Sequence, residues 1–354
     1  MSAAPQYDPS PKPPPANPPV ARPTAPGERG PWKRKPDVSK WIANGAYRVA
    51  KLRSSRLWGH AAREASRKQG GRRFAAHTHD GLKLDAWLSP AHPGAKKHQD
   101  NPKPPVVIAH GWFEIKERHF DRAEQLNRLG HDVVLFDARA HGLSGGSHCT
   151  FGQREHLDVA SVIDHAAQQH LIDADRVLTL GFSMGAATML QHAAIDPRVA
   201  GVVALAPFVD IPTAMHSFRE CFTPWMDADW LEDGFDRAAA DAGFAFRGPS
   251  AGQAVADIQA PVLLVEAGMD NKLPPDSHIK PLREAFLAKA QAGSHDTDQA
   301  PQVEVFTVPE AGHYTLCRRD WPGLDDTIAQ FFERSAASTQ PAATRAGNAG
   351  PSSG

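Results

Sequence analysis

The stretch Val177-Leu178-Thr179-Leu180-Gly181-Phe182-Ser183-Met184-Gly185-Ala186-Ala187-Thr188-Met189-Leu190 joins an apolar run of strand length to a run of good helix formers, with one serine at the junction. A G-x-S-x-G pentapeptide placed between a strand and a helix makes a tight elbow that lifts the serine hydroxyl above the sheet edge. Only small residues fit two before and two after that serine, so Gly181 and Gly185 are expected as its supports. The serine also opens a helix, where unpaired N–H groups and the macrodipole favour developing negative charge. The bare pentapeptide is a weak signal; its setting between strand and helix gives it weight. Ser183 is thus the candidate nucleophile.

Outward from the elbow, apolar runs alternate with helical stretches. Strands are expected at Leu82–Leu88, Val106–His110, Val133–Ala138, Val177–Phe182, Val199–Ala206, Val262–Ala267 and Val303–Val308. Helices are expected near Phe120–Leu129, Glu155–His170, Met184–Ala194, Ile279–Ala290 and Pro322–Arg334. That alternation predicts an α/β domain with a mostly parallel sheet and helices on both faces. Asp80-Gly81 predicts an antiparallel hairpin at its start. Residues 211 to 258 break the rhythm with Phe218, Phe222, Trp225, Trp230, Phe235, Phe244 and Phe246, as a small lid inserted over a pocket does.

A serine hydroxyl needs a base to take its proton, and the base needs an acid to fix its tautomer. After the strand PVLLVEA comes Gly268-Met269-Asp270-Asn271-Lys272-Leu273-Pro274, and after VEVFTVP comes Glu310-Ala311-Gly312-His313-Tyr314. His313 and Asp270 then stand at carboxyl ends of strands, where such sheets assemble their sites. The chain has eighteen histidines, and position alone singles out His313. Asp210 is the reserve acid. The oxyanion of a tetrahedral intermediate needs preorganised donors, expected from the backbone N–H groups of Met184 and Trp112. His110 and Gly111 lead into that second donor, the glycine giving the loop room to turn.

With these motifs in place, residues 74 to 335 resemble the α/β-hydrolase superfamily, especially its serine-aminopeptidase and lysophospholipase-like branch. Phe136-Asp137-Ala138-Arg139-Ala140-His141-Gly142-Leu143-Ser144 is similar to the superfamily's D-x-R-G-x-G-x-S loop, with Ala140 where glycine is usual. Gly152, Glu155 and Asp158 match the stretch that opens its next helix and are read as structural. The resemblance implies the α/β-hydrolase fold and hydrolysis of an ester, thioester or amide without a cofactor. A carboxylic ester is the leading substrate class. An acyltransferase or peptidase using the same triad, and a catalytically silent protein that binds a partner or membrane, are the alternatives.

Outside residues 73 to 336 the composition changes. Residues 1 to 36 hold twelve prolines and predict a disordered arm. Residues 37 to 72 predict a basic segment, with an amphipathic helix in which Val38, Trp41, Ile42, Ala46, Val49 and Leu52 share one side. Weak contact with a membrane surface through residues 37 to 58 is one use of it; docking on the domain is the other. Residues 1 to 72 carry fifteen Lys and Arg against four Asp and Glu, about +11, leaving about −12 for the rest. The tail, 337 to 354, is expected to be disordered. Three distant cysteines, Cys149, Cys221 and Cys317, predict reduced thiols. With no apolar run of spanning length and no signal-peptide pattern, a cytoplasmic protein, peripheral to a membrane at most, is expected. His77-Thr78-His79-Asp80 lacks the further ligands of a metal site, and Lys33-Arg34-Lys35 stands on an otherwise acidic chain, so neither a metal nor nucleic acid is expected. The partner is a small acyl substrate; oligomeric state stays open.

Overall fold

Val106–Ala109 and Val133–Phe136 are aliphatic or aromatic at every position, a pattern for strands covered on both faces rather than one. In the computed structural model, which describes residues 64, 66–68, 70–96, 102–292, 303–317 and 320–337, both are buried throughout. The proline-rich arm, the amphipathic helix and the tail past residue 337 lie outside the described residues.

Eight strands form one sheet: β1 Arg72–His77, β2 Lys83–Ser89, β3 Val106–Ala109, β4 Val133–Phe136, β5 Val177–Phe182, β6 Val199–Leu205, β7 Val262–Ala267 and β8 Val303–Val308. Their order is β1-β2-β4-β3-β5-β6-β7-β8. β2 runs antiparallel to both β1 and β4, and every other pairing is parallel. The hairpin expected at Asp80-Gly81 joins β1 to β2, with Gly81 at φ +80° and its N–H donating to Thr78 O at 3.0 Å.

The longer helices are α1 Phe120–Arg128, α2 Glu155–Gln168, α3 Met184–Ala193, α4 Ile211–Phe222, α5 Ala228–Asp241, α6 Ile279–Ala292 and α7 Leu324–Ala337. Side chains alternate across a strand, so each strand feeds two cores. Val107, Ala109, Val134 and Phe136 join α2, α3 and α6, while Val106, Ile108, Val133 and Leu135 join α1 and α7. This is the α/β-hydrolase arrangement that the sequence predicts. Expected strand ends are trimmed by one or two residues: His110, Ala138 and Ala206 fall just past the ladder, where loops begin.

The segment between β6 and β7 contains α4, α5 and a single turn at Ala251–Ala254. Each longer helix is capped by an aspartate, Asp210 accepting from the Thr213 N–H at 2.7 Å and Asp227 from the Trp230 N–H at 2.8 Å. Asp210 therefore serves as a helix cap and not as the acid of a triad. The insert buries Ile211, Ala214, Met215, Leu231, Phe235 and Phe246 in the same core as α2, α3 and α6. Its polar ties to the domain include Gln153 Nε2 donating to Ala245 O and Arg154 Nη2 to Gly243 O, both at 2.6 Å, and Lys289 Nζ donating to Val255 O at 3.3 Å and to Ile258 O.

Ala140, in the loop after β4, adopts φ +63° and is held there by its N–H donating to Gly145 O at 2.8 Å. A Cβ at positive φ crowds the backbone, whereas glycine does not. Ala140→Gly is expected to stabilise the fold by about 0.5–1 kcal/mol, strain relief outweighing the added freedom of the unfolded chain. Urea unfolding checks it, and a lowered midpoint contradicts it.

Candidate active site

Between β5 and α3 the chain has one residue in which to reverse, and that residue is Ser183, at φ +52° and ψ −114°. A non-glycine residue persists in such a conformation only where its surroundings fix it. Here the Ser183 N–H donates to Leu205 O at 2.8 Å and its carbonyl accepts from Ala187 at 3.0 Å. The flanking glycines are required sterically: a Cβ on Gly181 would sit 2.3 Å from Gly185 O, and one on Gly185 would sit 2.2 Å from Ala109 O. The elbow is thus packed backbone to backbone against the end of β3.

The loops after β7 and β8 bring Asp270 and His313 to that serine. His313 Nε2 lies 3.0 Å from Ser183 Oγ, and its Nδ1 lies 2.6 Å from Asp270 Oδ2. All three side chains are buried. Asp270 Oδ1 accepts the backbone N–H groups of Lys272 and Leu273 at 2.9 and 2.8 Å. That leaves Oδ2 for the imidazole, so Nδ1–H donates to the carboxylate and Nε2 faces the hydroxyl as an acceptor. The Met269 N–H donates to Ala311 O at 2.8 Å and clamps the two loops together.

The other candidate donors come from the elbow and from the loop after β3. Met184 is the first residue of α3, where N–H groups lack intrahelical acceptors. The peptide joining Gly111 to Trp112 is fixed through its carbonyl, which lies 2.7 Å from His110 Nδ1 and accepts from Glu114 N at 3.2 Å. In a trans peptide the Trp112 N–H points opposite to that carbonyl, away from His110. His110 Nε2 in turn accepts the Ala138 N–H at 3.0 Å, which assigns the Nδ1–H tautomer. Burial, reinforced by His141, lowers the His110 pKa to about 3, so the ring is neutral. Sequence reading found His110 as a support but not this role.

Beneath the loop lies a buried ion cluster that sequence reading missed. Lys116 Nζ is 2.5 Å from Asp85 Oδ2, 2.8 Å from Asp137 Oδ2 and 3.5 Å from Glu117 Oε1. Asp137 Oδ1 also accepts the Lys116 N–H at 2.9 Å, and Oδ2 accepts the Leu143 N–H at 2.9 Å. Burial opposes the charge on each, yet the opposite charges prevail: the Lys116 pKa is raised and the Asp137 pKa lowered. Glu114 donates nothing but accepts from the Gly111 N–H at 3.1 Å, and its pKa falls to about 2 against burial through its hydrogen bond with His119.

Five further histidines, His131, His141, His156, His192 and His278, have pKa values lowered first of all by burial. His192 and His278 are each pushed down to about 4, first of all by burial. The Ser217 hydroxyl donates to Thr213 O at 3.0 Å and lies 3.2 Å from His278 Nε2, which ties α4 to the start of α6. In the unfolded chain His110, His192 and His278 would protonate near pH 6.5; in the fold they do so only near pH 3–4. The unfolded state therefore binds more protons between those limits, and stability, full above about pH 6.5, falls as pH drops toward 4. Three such groups give a slope of up to about 4 kcal/mol per pH unit. Denaturant unfolding at pH 7.5, 6 and 5 measures it; a flat profile contradicts the neutral assignments.

Aromatic side chains cluster around Trp112. Trp112 meets Phe113, Phe151 and Phe218 at ring separations of 4.2, 5.4 and 5.9 Å, and Phe218 stacks on Phe222 at 6.0 Å. Phe113, Phe222, Trp225, Met269 and Tyr314 are exposed. Elsewhere, His79, Asp80 and Asp158 come close enough together to hold a cation, but Arg139 occupies both carboxylates, bonding Asp158 at 2.6 and 2.7 Å and Asp80 at 3.0 and 3.3 Å. That arginine is the one in the loop after β4, and it joins the hairpin to α2.

Comparison with known proteins adds to this geometry. The model of the family described as serine aminopeptidase, S33, matches residues 100–232. The matched span includes Ser183 and ends within the insert, before Asp270 and His313. An uncharacterized protein of Mycobacterium tuberculosis is 26% identical over 267 residues, 75% of this chain and 80% of that protein. The polyketide transferase ATR5 of Stachybotrys chlorohalonatus is 32% identical over 141 residues, 38% of this chain and 43% of that protein. Among solved structures, an esterase of Pyrococcus furiosus superposes with a TM-score of 0.60 at 19% identity, covering 81% of this chain and 97% of the esterase. At that identity the likeness is one of fold.

Proposed function

We propose that this chain is a serine hydrolase of the α/β-hydrolase superfamily that cleaves carboxylic esters through an acyl-enzyme on Ser183. The observation that carries the reading is the unbroken chain from Asp270 Oδ2 to His313 at 2.6 Å and from His313 to Ser183 Oγ at 3.0 Å. His313 Nε2 takes the hydroxyl proton as Ser183 Oγ bonds to the acyl carbon, and the carbonyl oxygen becomes an oxyanion facing the Met184 and Trp112 N–H groups. As the bond to the leaving group breaks, the imidazolium returns the proton to that group. A water, losing its proton to the same nitrogen, then attacks the acyl-enzyme and frees the acid and Ser183. Asp270 stays ionised and orients the ring.

Exposed Phe113, Met269 and Tyr314, each next in sequence to Trp112, Asp270 or His313, favour esters with hydrophobic acyl or alcohol parts over peptides. Transfer of the acyl group to an alcohol or amine in place of water is the second reading, supported by the similarity to a polyketide transferase. No helix among the described residues is long and apolar enough to cross a membrane, and none of the three cysteines forms a disulfide, features that suit our assignment to the cytoplasm.

Labelling with a fluorophosphonate, read by intact mass, tests the reading. The wild type is expected to gain one adduct, and Ser183→Ala and His313→Ala none. A folded wild type that stays unlabelled sinks the nucleophile assignment. Turnover of p-nitrophenyl esters with and without an added alcohol separates hydrolysis from transfer: ester products in place of acid support transfer.

A further inference from the structure

The insert and the loop after β7 meet over one cation. Lys272 lies two residues past Asp270, and its backbone N–H is one of the pair that holds the Asp270 carboxylate. Its ammonium sits 5.1 Å from the ring centre of Phe222, at the end of α4, and 5.5 Å from that of Tyr314. The Tyr314 ring stands edge-on to the His313 ring at 5.2 Å. Lys272 is thus one aromatic ring removed from the catalytic imidazole. Its polar neighbours are neutral: Asn271 Oδ1 at 3.2 Å and Cys221 Sγ at 3.9 Å. No carboxylate among the described residues pairs with it, although the chain beyond residue 72 carries a net charge of about −12.

A half-buried ammonium has three donors and attracts the faces of aromatic rings, but rings satisfy none of those donors as an anionic oxygen does. The two rings also displace water from the ammonium, which strengthens its attraction for an arriving anion. One point charge, with no arginine among the described residues bonded to the same groups, suits a singly charged carboxylate better than a phosphate dianion. We propose that Lys272 is a specificity residue that binds a carboxylate carried by the substrate away from the scissile carbonyl, and so selects anionic esters over neutral ones of equal length. The proposal rests on the serine-hydrolase reading.

Two matched pairs of esters test it in the full chain. Mono-p-nitrophenyl adipate against p-nitrophenyl hexanoate places the charge on the acyl side. The hexanoate ester of 4-hydroxybenzoate against that of its methyl ester places it on the leaving group. For each pair the ratio of kcat/KM, anionic over neutral, is measured in wild type, Lys272→Met and Lys272→Glu. In at least one pair the ratio is expected to fall by about tenfold or more in Lys272→Met, and further in Lys272→Glu. A lysine that only props the insert slows both members of a pair alike, so ratios unchanged in both pairs overturn the proposal. If the wild type takes up fluorophosphonate while the ratios stay constant, only the lysine assignment fails; if it neither labels nor turns over any ester, the hydrolase reading fails and takes this proposal with it.

Discussion

Asp270→Asn is expected to lower kcat on p-nitrophenyl esters by about 10⁴-fold, and Ser183→Ala by about 10⁵-fold or more, with the fold intact in both. The reason for the first lies in the backbone around the carboxylate. Lys272 and Leu273 direct their N–H groups at one oxygen of residue 270, so an asparagine must turn its own oxygen toward them and its amide NH₂ toward His313. The imidazole then presents Nδ1 as an acceptor and carries its proton on Nε2, where it cannot take one from the serine. Ser183→Ala removes the attacking atom and leaves the oxyanion donors, so some acceleration over solvent persists. Pre-steady-state and steady-state ester kinetics on purified variants measure both effects. Asp270→Asn retaining more than about a hundredth of wild-type kcat would falsify the role given to Asp270.

Lys116→Ala is expected to destabilise the fold by about 3–5 kcal/mol, the largest stability effect foreseen for a single charged residue here. The alanine removes the one ammonium shared by Asp85, Asp137 and Glu117, leaving Arg73 on the Oδ1 oxygen of Asp85. Asp137 still receives the Leu143 N–H, but a hydrogen bond does not neutralise a charge. Because Lys116 stands five residues past Gly111, the loop bearing the Trp112 N–H loosens as well, and activity below the unfolding transition should drop. Urea denaturation compares the two proteins; a loss under about 1 kcal/mol means that water or proton uptake compensates the cluster.

How far residues announce their structural duties depends on whether the relevant partner is near in sequence. The meeting of Ser183, Asp270 and His313 was legible because each follows an apolar strand by one to five residues, and strand ends of a parallel sheet converge at one edge. The lysine cluster was not, because Asp85, Lys116 and Asp137 follow or lie on three different strands, and their union requires the sheet order, with β2 beside β4 and β4 beside β3. Within Glu114-Ile115-Lys116-Glu117-Arg118 the mixture of signs reads as a solvated surface, yet Glu114, Lys116 and Glu117 are buried. His110 was half legible: its position beside Gly111 marked the loop, while its bond to the Ala138 N–H depends on β3 and β4 lying side by side. The helices of the insert went unread because aromatic residues dominated the segment, although Asp210 and Asp227 were available as capping signals.

The insert leaves the sheet after β6 and rejoins it at β7, while Ser183, Asp270 and His313, the proposed nucleophile, acid and base, stand on the elbow and on the loops after β7 and β8. Its anchorage includes a shared apolar face and hydrogen bonds made by Gln153, Arg154, Lys272, His278 and Lys289. The aligned side chains thus come from the sheet's own loops, and the insert sets Phe218 and Phe222 beside Trp112 and Lys272.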